Sequence, residues 1–245
     1  MAVQVVSGTR KRGKGRSGRR KGHKWLRRAV LAILILCGAL VGSIVLFRFV
    51  NPPVSAVMVV DKLKGATLKR QWVPLDKISP NLRLAVIASE DGNFCNHWGV
   101  DWGAVRDAIE QAHSWKGVRG ASTISMQVAK NLYLWEDRNY LRKALEVPLS
   151  YLMTVLWPKS RMLEIYLNIA QWGPDLYGAE AASRRYFGKS ASALTQRQAV
   201  LLAVALPNPM FRNPAKPSRR MLLLANAVER RLPLIAKRAG CVMNP

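Results

Sequence analysis

Histidine is scarce in this chain. Only His23, His97 and His113 occur, none of them in an H-E-x-x-H, and there is no C-x-x-C, G-x-S-x-G or G-x-x-x-x-G-K-[ST]. The absence of these devices argues against zinc hydrolysis, serine acyl transfer and P-loop phosphoryl transfer, because each needs that spacing to assemble its ligands, nucleophile or phosphate cradle. Acids are scarce too, 14 Asp and Glu against 39 Lys and Arg, for a net charge of +25. Of three cysteines, Cys37 lies in an apolar run. Cys95 and Cys241 are left as a candidate disulfide in an oxidising compartment, with nothing in the sequence to show that they meet. No internal repeat is visible, and no regular strand alternation follows residue 75.

What is present begins with the charge. Eleven bases lie between Arg10 and Arg28 with no acid among them, and the remaining 28 bases face 14 acids, so both parts are suited to polyanions. The run Ala29–Phe47 carries no charge, is bracketed by Arg28 and Arg48, and as a helix would span roughly 28 Å, about one hydrocarbon core. It shows no polar face of the kind a buried core helix keeps. A cleavable signal would have an apolar region of roughly 7–15 residues and a small-x-small site. Here Phe47, Arg48, Phe49 and Pro52-Pro53 follow, so the run reads as an uncleaved anchor. The positive-inside rule puts the N-terminus in the cytoplasm and residues 48–245 across the membrane. Nucleic acid is then out of reach as a partner. An anionic membrane surface suits the basic head, although a topology signal alone explains it equally well.

Beyond the anchor, the β-branched run Val54–Val60 predicts a short strand and "LKGATLKRQWVPLDKIS" an irregular or hairpin segment. From there the pattern is helical. Ser79 or Asn81 can cap a helix through Ala88, and Asp101 one running to His113. Further helices are expected at 122–134, 140–156, 159–169, 178–187, 195–206 and 218–237, punctuated by Pro158, Gly173-Pro174 and "PNPMFRNPAKPS". The fold class is mainly α, one domain of about 190 residues behind one transmembrane helix.

Carboxylates beside bases carry the remaining chemistry. Glu90 and Asp91 follow "LAVIAS", five of whose six residues are apolar, so the helix end is expected to be buried and a carboxyl there to have a raised pKa suited to a general base. Solvated acids, or one capping the next turn, are the alternative. "GASTISMQVAKN" opens a helix with two hydroxyls, which fits an anion site at a helix start or an ordinary Ser/Thr cap. In "DRNYLRKALE", Arg138, Arg142 and Glu146 recur every four residues with Lys143 beside them. That is either a solvated ion-pair ladder or a pair of forks for a pyrophosphate.

These stretches resemble a known family. "EDGNFCNHWG" is similar to the E-D-x-x-F-x-x-H-x-G signature of the peptidoglycan glycosyltransferases (glycosyltransferase family 51), "GASTISMQVAKN" to their G-x-S-T-I-x-x-Q-x-x-K-N block and "RKALE" to their R-K-x-x-E. "KSRMLEIYLN" and "GAEAASRRYFGKS" look like the remaining two blocks, in order, over roughly residues 80–215. The resemblance implies a lysozyme-like helical domain with a small membrane-proximal jaw. The chain would divide into a basic tail (1–28), an anchor (29–47), a linker and jaw-like segment (48–80) and the glycosyltransferase domain (81–245), with no room for a transpeptidase domain.

It further implies glycan polymerisation from lipid II, with inversion and release of undecaprenyl pyrophosphate, at the bacterial inner membrane. Lipid II and the growing glycan chain would be the substrates, Mg²⁺ the metal, and cell-division or penicillin-binding proteins the partners that the resemblance admits. Carried over by position, Glu90 is the general base and Glu146 the second essential carboxylate, near the pyrophosphate or its metal. Ser122, Thr123, Gln127, Lys130, Arg138, Arg142 and Lys143 line the donor site, Asp91, Phe94 and His97 support the first motif, and Tyr166 and Asn168 belong to the structural fourth block. Met126 and Gln171 depart from the family pattern, which commonly has Gln and an acid there. A lysozyme-type hydrolase would share the fold but needs no phosphate clamp, and a basic lipid-binding protein would give Glu90 no special role.

Overall fold

The structure, a computed structural model, describes residues 17–110, 122–137 and 139–243. The chain divides into two compact units at Leu46/Phe47. In the first, helix α1 (Ser17–Phe47) contains a segment, Lys24–Phe47, long and apolar enough to cross a membrane. Most of its large apolar side chains are exposed, for example Leu31 and Ile35, while Ile44 near its end is buried. A helix apolar on all sides needs lipid rather than a protein neighbour. The Ser43 hydroxyl donates to the Leu40 carbonyl (2.7 Å), so the polar group within the span is satisfied locally.

The second unit begins in a strap held by arginines. Arg48 donates to the Leu156 carbonyl. Arg161 donates to the carbonyls of Phe47 (3.0 Å) and Val50 (2.9 Å), and Arg70 to those of Pro52 (2.8 Å) and Pro53 (2.7 Å). Prolines cannot use their nitrogens in hydrogen bonds, so the strap is gripped through oxygens alone. The Trp72 ring lies under both Arg70 (4.9 Å) and Arg161 (5.6 Å).

Where a strand was expected at Val54–Val60, the chain forms helix α2 (Ala56–Leu63). Ser55 caps it, accepting from the Met58 amide, and Val57 and Met58 are buried on one face. β-branching is a weak preference that a cap and a packed face override. Three minimal strands, β1 (Lys69–Arg70), β2 (Gln171–Gly173) and β3 (Leu176–Tyr177), form a sheet in the order β1-β3-β2. β1 runs parallel to β3, so the segment after α2 makes no hairpin of its own. The hairpin is β2–β3, turning at Pro174-Asp175 with Asp175 at φ 57°. Strands of two or three residues are too short to show alternation.

The helical core otherwise follows the expected pattern. α3 (Pro80–Glu90) starts at Ser79 and runs two residues beyond the expected end. α4 is described over Trp102–Glu110; its expected continuation to His113 lies outside the described residues. α5 (Ile124–Tyr133), α6 (Tyr140–Leu156), α7 (Lys159–Ile169), α8 (Ala179–Phe187), α9 (Gln196–Ala205) and α10 (Arg219–Arg238) follow, and α11 (Gly240–Met243) ends the described chain. α9 is buried from Ala199 to Ala205, and α3 and α10 pack on it, while α5 packs on α6 and α7. Small residues such as Ala85, Ala199 and Ala203 let these helices approach closely. Cys95 and Cys241 are joined in a disulfide that closes 146 residues.

Asn168, wholly buried on α7, ties the strand region to this core. Its Oδ1 accepts from the Val73 amide (2.9 Å), and its Nδ2 donates to the carbonyls of Val73 and Glu164 (both 2.8 Å). Asn168→Ala leaves both Val73 groups unpaired in the interior. It should lower stability by about 2–3 kcal/mol and the midpoint of thermal unfolding by roughly 5–10 °C, read by circular dichroism on detergent-solubilised protein.

Candidate active site

Glu90 is the last residue of α3. Asp91 leaves the helix at φ −161°, ψ 75°, and Gly92 follows, so the two acids point into different surroundings. The Glu90 carboxylate accepts from the Ser89 hydroxyl (3.1 Å) and from Gln127 Nε2 (3.0 Å). Gln127 Oε1 in turn accepts from the Tyr166 hydroxyl (3.0 Å), so a phenol on α7 fixes an amide on α5 that fixes the carboxylate. Burial pushes the Glu90 carboxyl above the ordinary carboxylate range. The Gln127 and Ser89 hydrogen bonds and the Arg212 charge oppose this, and the neighbouring Asp91 charge adds to it. Tyr166, buried beside both acids, is held well above the usual phenol range and keeps its proton to donate.

Asp91 is buried and turned inward. Its carboxylate lies 2.9 and 3.0 Å from His97 Nε2 and accepts from the Ile124 amide (2.9 Å), the first residue of α5. His97 Nδ1 accepts from the Gly99 amide (3.2 Å), a pattern that fits an imidazole carrying its proton on Nε2. Lys159 donates to the His97 carbonyl (2.7 Å) and lies 4.6 Å above the Phe94 ring; burial lowers its pKa to about 8 against the raising effect of Asp91. Gly99 closes the loop at φ 98°, where a Cβ would meet the Ser150 carbonyl at 2.8 Å. Only glycine suits both the backbone and the space. Its carbonyl receives the Thr123 hydroxyl, and Thr123 also accepts from the Met126 amide as the cap of α5.

At the start of α5 the Ile124 amide is taken by Asp91 and the Met126 amide by Thr123, which is the Ser/Thr cap of the two readings open to this stretch. A helix N-terminus satisfies its free amides with the nearest carboxylate, which the protein itself supplies. Thr123 is the ordinary cap, buried and occupied, and Phe94 and Asp91 likewise support the loop from inside.

The second cluster is on α6. Glu146 is buried, and its two oxygens are taken by Arg142 Nη1 and by Lys143 Nζ (2.9 Å). Arg142 Nε donates to the Asp137 carbonyl (2.7 Å). A solvated ladder does not describe this pair, because both partners lie inside the protein. Lys143 is half-exposed and also donates to the Ser122 hydroxyl (2.8 Å). Arg138, the third expected cation, lies outside the described residues.

Ser122 joins the two clusters. Besides receiving Lys143, it lines a 280 Å³ cavity that holds Glu90, walled on one side by Gly92 and Asn93 and on the other by Arg231, Ile235 and Arg238 of α10. Lys130 lines a different cavity from the one that Ser122 shares with Glu90. With Gln127, Tyr166, Gln171 and Asp61 it lines a second cavity of 300 Å³. Sequence reasoning passed over Ser89, Arg212, Arg231 and Arg238, and gave Lys159 no role. Lys159 opens the fourth block and was within reach; the α10 arginines carry no motif and are found only by where the chain folds back.

The arrangement offers a desolvated carboxylate held by neutral donors, and beside it a cationic cluster around a second carboxylate. The sequence model of the transglycosylase family matches residues 57–237. The chain is 45% identical over 223 residues to the biosynthetic peptidoglycan transglycosylase of Rhodospirillum centenum, spanning 90% of this chain and 96% of that protein. Identity to the protein of the same name from Brucella suis is 51% over 199 residues (81% and 87%), and to that of Mesorhizobium japonicum 45% over 237 residues (96% and 99%). With the match running from α2 into the last turn of α10, across both carboxylate clusters, the chain belongs to the transglycosylase family and is a glycosyltransferase.

Proposed function

We propose that this glycosyltransferase polymerises peptidoglycan glycan chains from lipid II. The observation that carries the reading is Glu90, whose raised carboxyl sits in a cavity bordered by the Lys143–Ser122 contact. The 4-hydroxyl of the incoming N-acetylglucosamine attacks the anomeric carbon of the growing chain's N-acetylmuramate. Its proton passes to Glu90 as the new C–O bond forms. The anomeric bond to phosphate breaks with inversion, and undecaprenyl pyrophosphate leaves with the electron pair. A base near its working pH suits the first demand, and fixed cations suit the second.

Arg142 and Lys143 are the described cations for the leaving group, with Lys143 the more exposed and Arg142 aligned by Glu146 and the Asp137 carbonyl. Among the described residues no group of three His, Cys, Asp or Glu is gathered that could hold a metal. Both Glu146 oxygens are already on cations, so in this reading a Mg²⁺ would be carried by the diphosphate oxygens, with Glu146 reaching it only by giving up one of those contacts; when bound, the ion would neutralise charge on the leaving group. The reading places α1 across the inner membrane, the basic N-terminus on anionic lipid in the cytoplasm and the catalytic unit in the periplasm.

Incubation of the purified protein with labelled lipid II and Mg²⁺ tests the reaction: growing chains support it, and shortening of added glycan or no turnover overturns it. Glu90→Gln should lower kcat at least about 100-fold while the unfolding midpoint stays in place. Gln127→Ala removes a hydrogen bond that stabilises the Glu90 carboxylate, so the carboxyl pKa rises further and the acid limb of kcat/KM moves to higher pH. Lys143→Ala, which empties little of the core, should raise KM for lipid II about tenfold or more, measured by initial rates.

A further inference from the structure

We propose that the Cys95–Cys241 disulfide sets the width of the cavity that holds Glu90, making both cysteines positioning residues for glycosyl transfer. The inference rests on the reaction proposed above. The cavity has two walls. One is the loop after Glu90, represented by Gly92 and Asn93; the other is the C-terminal half of α10, represented by Arg231, Ile235 and Arg238. Cys95 lies in the turn Phe94–Asn96, just beyond the lining residues Gly92 and Asn93, and Cys241 lies in α11, three residues beyond the lining residue Arg238.

Non-covalent ties across the gap are few. Gly92 faces Ile235, whose Cδ1 lies 3.6 Å from the position a Cβ on Gly92 would take. Among the described residues, no hydrogen bond or ion pair joins residues 91–99 to α10. The loop's polar contacts run the other way, from Asp91 and Gly99 to α5 and from His97 to Lys159 of α7. The C-terminal helix has its own tie to α3, where buried Arg83 donates to the Val242 carbonyl (3.2 Å). The fold can thus persist without the disulfide while the walls lose their covalent spacer.

Opening the bond leaves α10 packed on α3 and α9 but frees the loop after Glu90 from its covalent tie to the end of that helix. The approach of the sugar hydroxyl to the carboxylate then varies, and loosened positioning of this kind costs rate rather than affinity. Both cysteines are half-buried, so a small dithiol can reach the sulfurs. The dithiol delivers two electrons and two protons to the protein disulfide and closes into its own cyclic disulfide.

The test compares oxidised and dithiothreitol-reduced full-length protein in detergent, with lipid II and Mg²⁺, well below the unfolding midpoint of the reduced form. Reduction should lower kcat at least about tenfold and leave KM within about twofold, with oxidised glutathione restoring the rate. A Cys95→Ser/Cys241→Ser double variant should match the reduced enzyme and ignore both reagents. A kcat held within about twofold while only the unfolding midpoint falls identifies a plain structural staple and overturns the inference, as does a change confined to KM. An oxidised protein that makes no glycan overturns the reaction and this inference with it.

Discussion

The Asp91 carboxylate receives the Ile124 amide from one side and His97 Nε2 from the other. Through the first contact it closes the start of α5, so the helix carrying Gln127 is set against the end of the helix carrying Glu90. Through the second it holds His97, whose carbonyl is pinned by Lys159 and whose Nδ1 receives the Gly99 amide. A buried carboxylate held by two donors, the Ile124 amide and His97 Nε2, is stable only while both stay in place, because an unpaired buried charge is costly. The loop, α5 and α7 therefore share one constraint, and Glu90, one residue away, is carried to its position with only the neutral donors Ser89 and Gln127 on its own oxygens.

The two glutamates differ in their partners as well as in their burial, Glu146 being buried and Glu90 half-buried. Glu90 accepts from a hydroxyl and an amide, both neutral, and desolvation raises its carboxyl. Glu146 has each oxygen on a cation. Environments that pull two carboxyls apart divide the labour between them: one can exchange a proton, and the other orients positive charge. Ser122, which lines the Glu90 cavity and accepts from Lys143, is where these two environments meet.

Much of this was legible in the sequence. The apolar run ending at Phe47, the helices of α6 and α7 to the residue, the burial of Glu90 and the pairing partners Cys95 and Cys241 were all visible as pattern or candidate. What escaped has physical causes. The strands β1 to β3 are too short to alternate, and the β-branching of Val54–Val60 points to a strand where the Ser55 cap and the packing of Val57 and Met58 make a helix. The start of α5 admits an anion site or a cap, because a sequence cannot show that Asp91, 33 residues earlier, takes the Ile124 amide. Arg231 and Arg238 lie on a basic amphipathic helix like many others, and only the return of α10 to the cavity gives them a place.

The charge reading needs the same correction. A surplus of +14 beyond residue 28 suggested broad attraction to polyanions, yet several of its arginines turn inward to backbone oxygens. Arg48, Arg70 and Arg161 hold the strap, Arg83 holds Ile78 and Val242, Arg142 holds Asp137, and Arg212 holds Val204. A guanidinium remains charged while its planar fork satisfies carbonyls that loops and helix ends leave open, a task a lysine fills less well. Formal charge therefore overstates the cations available to a ligand. Arg231 and Arg238 on α10, and Lys143 through Ser122, still face the cavity that holds Glu90, and Lys130 faces the second cavity. For the lipid II substrate proposed above, these few side chains matter more than the formal total.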